Sequence, residues 1–182
     1  MKDKTRTLLT GEIQVTPFDE SYNEIDQMMF LSKNLYNTCL YTERQLYFKK
    51  RDCKDPIQKS KLQGFISNFT LSKQLQDSNN RDYRALPCAV SQQVCKQVYT
   101  NYISFFSLLK KDPSVRVPKY LHKTKGRNRL SFTKNAISKP NIRNGIIKLT
   151  GLECTFKLPS YIDYKTVQQI DIVKTRYCKS KP

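Results

Sequence analysis

The stretch CAVSQQVCKQVYTNYISFFSLLKK, residues 88–111, places Val94, Val98, Tyr102, Phe105 and Leu109 at steps of four, four, three and four. That recurrence is the period of an α-helix and of no other regular element, so a long helix here must bury one face. Leu86-Pro87 puts proline at its first turn, where a missing N–H costs nothing, and Lys110-Lys111 suit its C-terminal dipole. At 100° per residue, Gln92, Lys96 and Tyr99 share a different face. An amide, a cation and a ring on one stripe can read base edges and grip phosphate, and they equally suit an ordinary surface.

Around this helix the pattern changes twice. Residues 5–16, TRTLLTGEIQVT, alternate as a strand, and Thr16-Pro17 closes it. Ser21 and Glu24 have capping-box spacing, and Ile25, Met28, Leu35, Cys39 and Leu46 continue one face, which predicts a helix from about Ser21 to Lys50. RDCKDP breaks it, residues 57–76 read as one or two weaker helices, and DSNNRDYRALP reads as a loop. After Asp112-Pro113 come short β-like runs, RLSFTK, GIIKLT, CTFKLP and QQIDIVKTRYC. Asn144-Gly145 between Ile142 and Ile146 signals a hairpin. The first strand can pair only with these later ones, so the expected fold class is α+β. It is a small, discontinuous β-barrel of residues 1–17 and 113–182, with residues 18–112 inserted as a helical lobe.

The most uneven charge lies in VRVPKYLHKTKGRNRLSFTKNA, residues 115–136, which holds Arg116, Lys119, Lys123, Lys125, Arg127, Arg129 and Lys134 and no acid. The whole chain of 182 residues carries 33 basic against 15 acidic side chains, a formal charge of +18. Such self-repulsion is usually neutralised by a polyanion, and nucleic acid is the leading partner. A membrane surface is the rival, but no long basic amphipathic helix has a clean apolar face. Lys119, Tyr120, His122, Lys123, Lys125, Arg127 and Arg129 combine cations with rings and are the candidate nucleic-acid contacts. Gly126 and Asn128 would let the backbone turn near a phosphate, and Phe132 reads as core. A solvated, mobile loop is the plain alternative for the whole run.

Catalytic chemistry finds little support. Beyond Asp112 the only acids are Glu153, Asp163 and Asp171, and Mg²⁺-dependent cleavage needs clustered carboxylates. No phosphate-cradling Gly-rich loop is present. The six cysteines form no C-x-x-C pair, and with His122 as the single histidine a structural zinc site is not expected. No cofactor is expected. MKDKTRTLLTGEIQV lacks the apolar centre of a secretory leader, and no run approaches the roughly eighteen apolar residues of a membrane span. A cytoplasmic, nucleoid-associated protein with reduced thiols, mostly buried, is therefore expected, Cys88 and Cys95 being small core residues of one helix.

Taken together, LSKNLYNTCL (31–40), residues 86–111, residues 115–137, GIIKL with FKLP (145–159) and IDIVKTRY (170–177) resemble the N-terminal half of TnpB-type transposon proteins, RNA-guided nucleases related to type V CRISPR effectors. The resemblance implies a wedge barrel with an inserted recognition lobe, holding a structured guide-type RNA and reading a short motif in double-stranded DNA. It assigns the candidate contacts among residues 119–129 to RNA, and it implies DNA contacts at Gln92 and Lys96, at Thr133 and Lys134, and at Phe69 and Ser72. Cys88 stands where some relatives carry a basic residue. In that family a RuvC nuclease domain follows a segment like IDIVKTRYCKSKP, so this chain alone is expected to lack cleavage activity. Other expectations are half of a split RNA-guided endonuclease completed by a separate RuvC chain, a guide-independent DNA-binding repressor, and a remnant that merely folds.

Overall fold

The computed structural model describes residues 10–16 and 19–175. Helix α1, Ser21–Asp52, buries Ile25, Met28, Met29, Leu35, Tyr36, Cys39 and Leu40, the apolar face set by its periodicity. The capping box does not form. Ser21 already lies inside the helix, no side chain caps Glu20, and the Glu24 carboxylate instead accepts the backbone N–H groups of Glu153 and Cys154. Those N–H bonds outweigh the desolvation of the carboxyl and hold it below its ordinary value.

Three short helices follow: α2 (Pro56–Lys61), capped by Asp55; α3 (Asn68–Asp77), capped by Ser67; and α4 (Arg81–Arg84), capped by Asn80 within the stretch expected to be loop. Each cap accepts first-turn N–H groups that would otherwise be unpaired. Helix α5, Cys88–Leu109, buries Val90, Val94, Cys95, Val98, Tyr102 and Phe105, with Leu109 half-buried. It crosses α1 closely enough to bring the Cys39 and Cys95 thiols within 3.7 Å. Fully burying each large apolar side chain is worth roughly 1.5–3 kcal/mol, so the faces that α5 shares with α1 and α3 contribute substantially to stability.

The strand-rich half is open. β1 (Leu130–Thr133) pairs antiparallel with β4 (Gln169–Ile172), and β2 (Ile146–Lys148) with β3 (Thr155–Lys157). These are two separate two-stranded sheets, so the described residues form no closed barrel. Residues 10–16 carry no strand, and residues 5–9 and Pro17 of the expected first strand lie outside the described residues. Asn144-Gly145 is not a hairpin tip. It ends helix α6 (Lys139–Arg143), with Gly145 at φ +75° just past the last turn, the usual place for a left-handed glycine. The β2–β3 connection turns instead at Gly151, φ +84°, where a Cβ would lie 2.3 Å from Pro87 Cγ. One apolar cluster, from Ile25 to Leu152, runs through helices and strands alike, with Phe132 fully buried in it. Among the described residues no helix is long and apolar enough to cross a membrane.

Candidate nucleic-acid interface

Between α5 and β1 the basic segment forms a strap over α1, and α1 holds it by its main chain. Arg44 Nη1 donates to the Pro118 carbonyl at 2.8 Å. Asn37 donates to the Leu121 carbonyl at 3.0 Å and accepts the Leu121 N–H at 2.9 Å. Lys33 Nζ donates to the Lys123 carbonyl at 2.6 Å, and Asp26 pairs with Arg127 at 2.6 Å. Residues 26, 33, 37 and 44 lie along one line of the helix, so the strap from Pro118 to Arg127 runs antiparallel to α1.

The far end of the strap is tied more deeply. Asn128 is buried. Its N–H donates to the Met29 carbonyl, its side-chain NH₂ to Ser32 Oγ and to Gln97 Oε1, and its Oδ1 accepts from Gln97 Nε2. Ser32 Oγ in turn donates to the Arg129 carbonyl. Asn128 thus locks strap, α1 and α5 together and is not free to approach a phosphate. Gly126 closes a tight turn in which a Cβ would meet the His122 carbonyl at 2.5 Å. The segment is tied to α1 and α5 by these hydrogen bonds along its length.

Because the pins grip carbonyls, most strap side chains point away. Lys119, Tyr120, His122, Lys123, Lys125 and Arg129 are exposed. His122 keeps its Nδ1 lone pair for the N–H groups of Thr124 and Lys125, at 3.2 and 3.1 Å, which puts the proton of the neutral ring on Nε2. Tyr120 lies over the Arg44 guanidinium at 5.0 Å, with Phe48 also against Arg44 at 5.3 Å. Arg127 departs from the expectation. It is half-buried, paired with Asp26, donates to the Thr124 and Gly126 carbonyls, and stands over Phe30 at 5.0 Å. The Arg127 hydrogen bond, then Lys174, holds the Asp26 carboxyl below its ordinary value. Lys33, buried against the Phe30 ring, has its ammonium pushed down by burial and by the Arg127 charge.

The second candidate group gathers at the N-terminal half of α5. Gln92 and Lys96 are exposed, and Gln92 Nε2 lies 3.5 Å from Cys88 Sγ. Cys88 is exposed too, against the expectation of a core thiol. Its sulfur is 3.9 Å from the Tyr83 hydroxyl, which shares a hydrogen bond of 2.8 Å with Ser72 Oγ. Ser72 is thereby joined to Gln92 through two intervening side chains, and Phe69, one turn earlier on α3, is 80% exposed. Tyr99 does not complete the stripe as a free ring. It is half-buried and stacks on Phe65 at 5.0 Å and 18°. β1 starts beside Gln97 and leads to Ala136, whose carbonyl accepts the Thr150 N–H next to Gly151 and Pro87. Half-buried Thr133 and exposed Lys134 are thus carried toward the end of α5 that bears Gln92.

Asp163 and Asp171 are exposed, and no group of three or more His, Cys, Asp or Glu side chains converges among the described residues. What the sequence did not disclose is the row of pins on α1, since Asp26, Lys33, Asn37 and Arg44 resemble an ordinary solvated face. Their recurrence on one line was the available signal. Comparison with family models, with curated proteins and with solved structures finds no match to this chain.

Proposed function

We propose that the chain is a nucleic-acid-binding module that holds a structured RNA along the strap. The supporting observation is the strap itself, a main chain fixed to α1 that leaves Lys119, Lys123, Lys125 and Arg129 exposed and without carboxylate partners among the described residues. Exposed cations carried on a pinned main chain suit a phosphate backbone recognised by charge and shape. Tyr120, with the Arg44 guanidinium over its ring, is 45% exposed and so keeps ring surface for a base.

The resemblance to TnpB-type proteins extends this reading. In it the RNA is guide-like, the chain acts in a cytoplasmic, nucleoid-associated setting, and Gln92, Lys96, Ser72, Phe69, Thr133 and Lys134 read a short duplex-DNA motif. A RuvC nuclease chain acting in trans would supply cleavage. The adjacency of Ser72, Cys88 and Gln92 supports a single contact surface there.

The deciding experiment is purification from the native host at moderate salt, followed by sequencing of the RNA that accompanies the protein. One discrete RNA from the same locus is expected, and mixed cellular RNA or none overturns the reading. Replacing Lys123 and Lys125 by Ala should flatten the salt dependence of RNA affinity by roughly one logarithmic unit per lost contact. Arg127→Ala should leave that slope unchanged and lower stability instead, as read by thermal melting.

A further inference from the structure

An open cleft of about 450 Å³ lies where the last turns of α1 meet the chain after α2 and the end of α5; of the residues discussed as candidate contacts, Tyr99 adjoins it through Phe65. It is lined by the rings of Tyr47, Phe65 and Phe106 and by the cations Lys50, Arg51 and Lys59, with the Arg51 guanidinium 6.0 Å from the Tyr47 ring centroid. The rings adjoin at an angle to one another, Phe106 lying 5.6 Å from Phe65 at 71° and 6.0 Å from Tyr47 at 54°. All three are half-buried, so each keeps surface facing the cleft. Phe65 is held in place by stacking on Tyr99, and its neighbour Ile66 donates its N–H to buried Glu43.

The cations close the rim. Lys59 Nζ reaches back to the Arg51 carbonyl at 3.3 Å, which draws α2 toward the end of α1. Gly64 lets the backbone pass beside Lys50, where a Cβ would lie 2.9 Å from Lys50 Cδ. No carboxylate lines the cleft; Asp52 stands beside it, paired with Arg51 at 2.6 Å.

A bare phosphate would leave the rings unused, and a neutral aromatic would leave the cations unused. A flat ring bearing a negative charge satisfies both, and the volume falls within the range of about 300–1,000 Å³ typical of small-ligand sites. We propose that this cleft takes one nucleotide unit, its base against Tyr47, Phe106 and Phe65 and its phosphate among Lys50, Lys59 and Arg51. The proposal rests on the nucleic-acid reading and deepens it, adding capture of a single unstacked base to backbone binding along the strap.

The test uses the full chain and three probes: a short single strand carrying one 2-aminopurine, an abasic strand of equal length, and adenosine monophosphate. The base-bearing strand should bind roughly tenfold more tightly than the abasic one, with quenching of the 2-aminopurine. Phe106→Leu should erase that preference while preserving abasic affinity. Lys50→Ala and Lys59→Ala, checked for unchanged melting, should weaken the base-bearing strand several-fold. Adenosine monophosphate that restores the fluorescence assigns the same site to the bound strand, and binding of the mononucleotide without the strand assigns it to free nucleotides. Equal affinity for both strands, with no quenching and no effect of the cleft variants, overturns the proposal. If Lys123 and Lys125 still govern the salt slope of structured-RNA binding in that case, the strap reading survives; if wild type binds neither these probes nor a structured RNA, both readings fall.

Discussion

Glu43 shows how one residue couples the helical block to pH. Its carboxyl is buried on α1, with Oε2 accepting the Ile66 N–H at 3.2 Å and Oε1 unpartnered. Burial pushes its pKa up to about 7, against the weaker pull of that N–H. Burial, with the Glu43 charge adding to it, also pushes the buried Tyr102 phenol up, and that hydroxyl too lacks a partner. The folded state therefore favours neutral Glu43. Its contribution is most favourable below the ordinary carboxylate range and is lost as pH rises through about 7. Glu43→Gln keeps an acceptor for Ile66 and cannot ionise. It should remove a stability loss on the order of a few kcal/mol between mildly acidic and neutral pH, checked by urea unfolding across that window. An unchanged pH profile would remove Glu43 from the account. In the sequence Glu43 reads as one more charge on a helix, because burial of a carboxyl depends on which turn packs against it.

At the scale of elements, the strap depends on its pins. Asn37→Ala deletes both hydrogen bonds to Leu121, at roughly 0.5–1.5 kcal/mol each, and leaves α1 otherwise intact. Amide exchange at residues 121–126 should then quicken while that of α5 stays unchanged; equal protection in both proteins would mean that the strap is held elsewhere. The long helices were legible because apolar periodicity is local information. α5 spans Cys88–Leu109 against an expectation of 88–111, and α1 ends two residues beyond its expected end. The caps and turns were less so. Glu24 looked like a helix cap and bonds to residues 129 and 130 positions away. Asn144-Gly145 looked like a hairpin, yet Pro140 had already committed the preceding residues to a helical turn. The same limit hid the order of the strap, since a pin on α1 and its carbonyl lie 74 to 90 residues apart in the chain. For the candidate site, exposure of Gln92 and Lys96 followed from helical phase, whereas the loss of Tyr99 to Phe65 and of Arg127 to Asp26 required the packed neighbours.

Across the whole molecule, a formal charge of +18 meets few internal neutralisers: the described residues form four ion pairs, and Asp26 serves in two of them. Like charges repel across a Debye length of about 10 Å at moderate salt, so raising ionic strength from low to physiological should raise the melting temperature of the free protein. A polyanion such as heparin should raise it further at low salt, and a melting temperature indifferent to both would show that the charge is spread too thinly to matter. The strap also bears on how such a protein can change over time. Arg44, Asn37, Lys33 and Ser32 hold carbonyl groups, which every residue type possesses alike. Exchanging an outward-facing strap side chain such as Lys119, Lys123 or Lys125 therefore leaves the scaffold undisturbed, unlike Gly126, Arg127 or Asn128, and at those outward positions a cation or a ring can be gained or lost without refolding. Variation should run freely along the outward-facing positions and be resisted at the helix positions beneath them, so that a surface row of polar residues evolves under the constraints of a core.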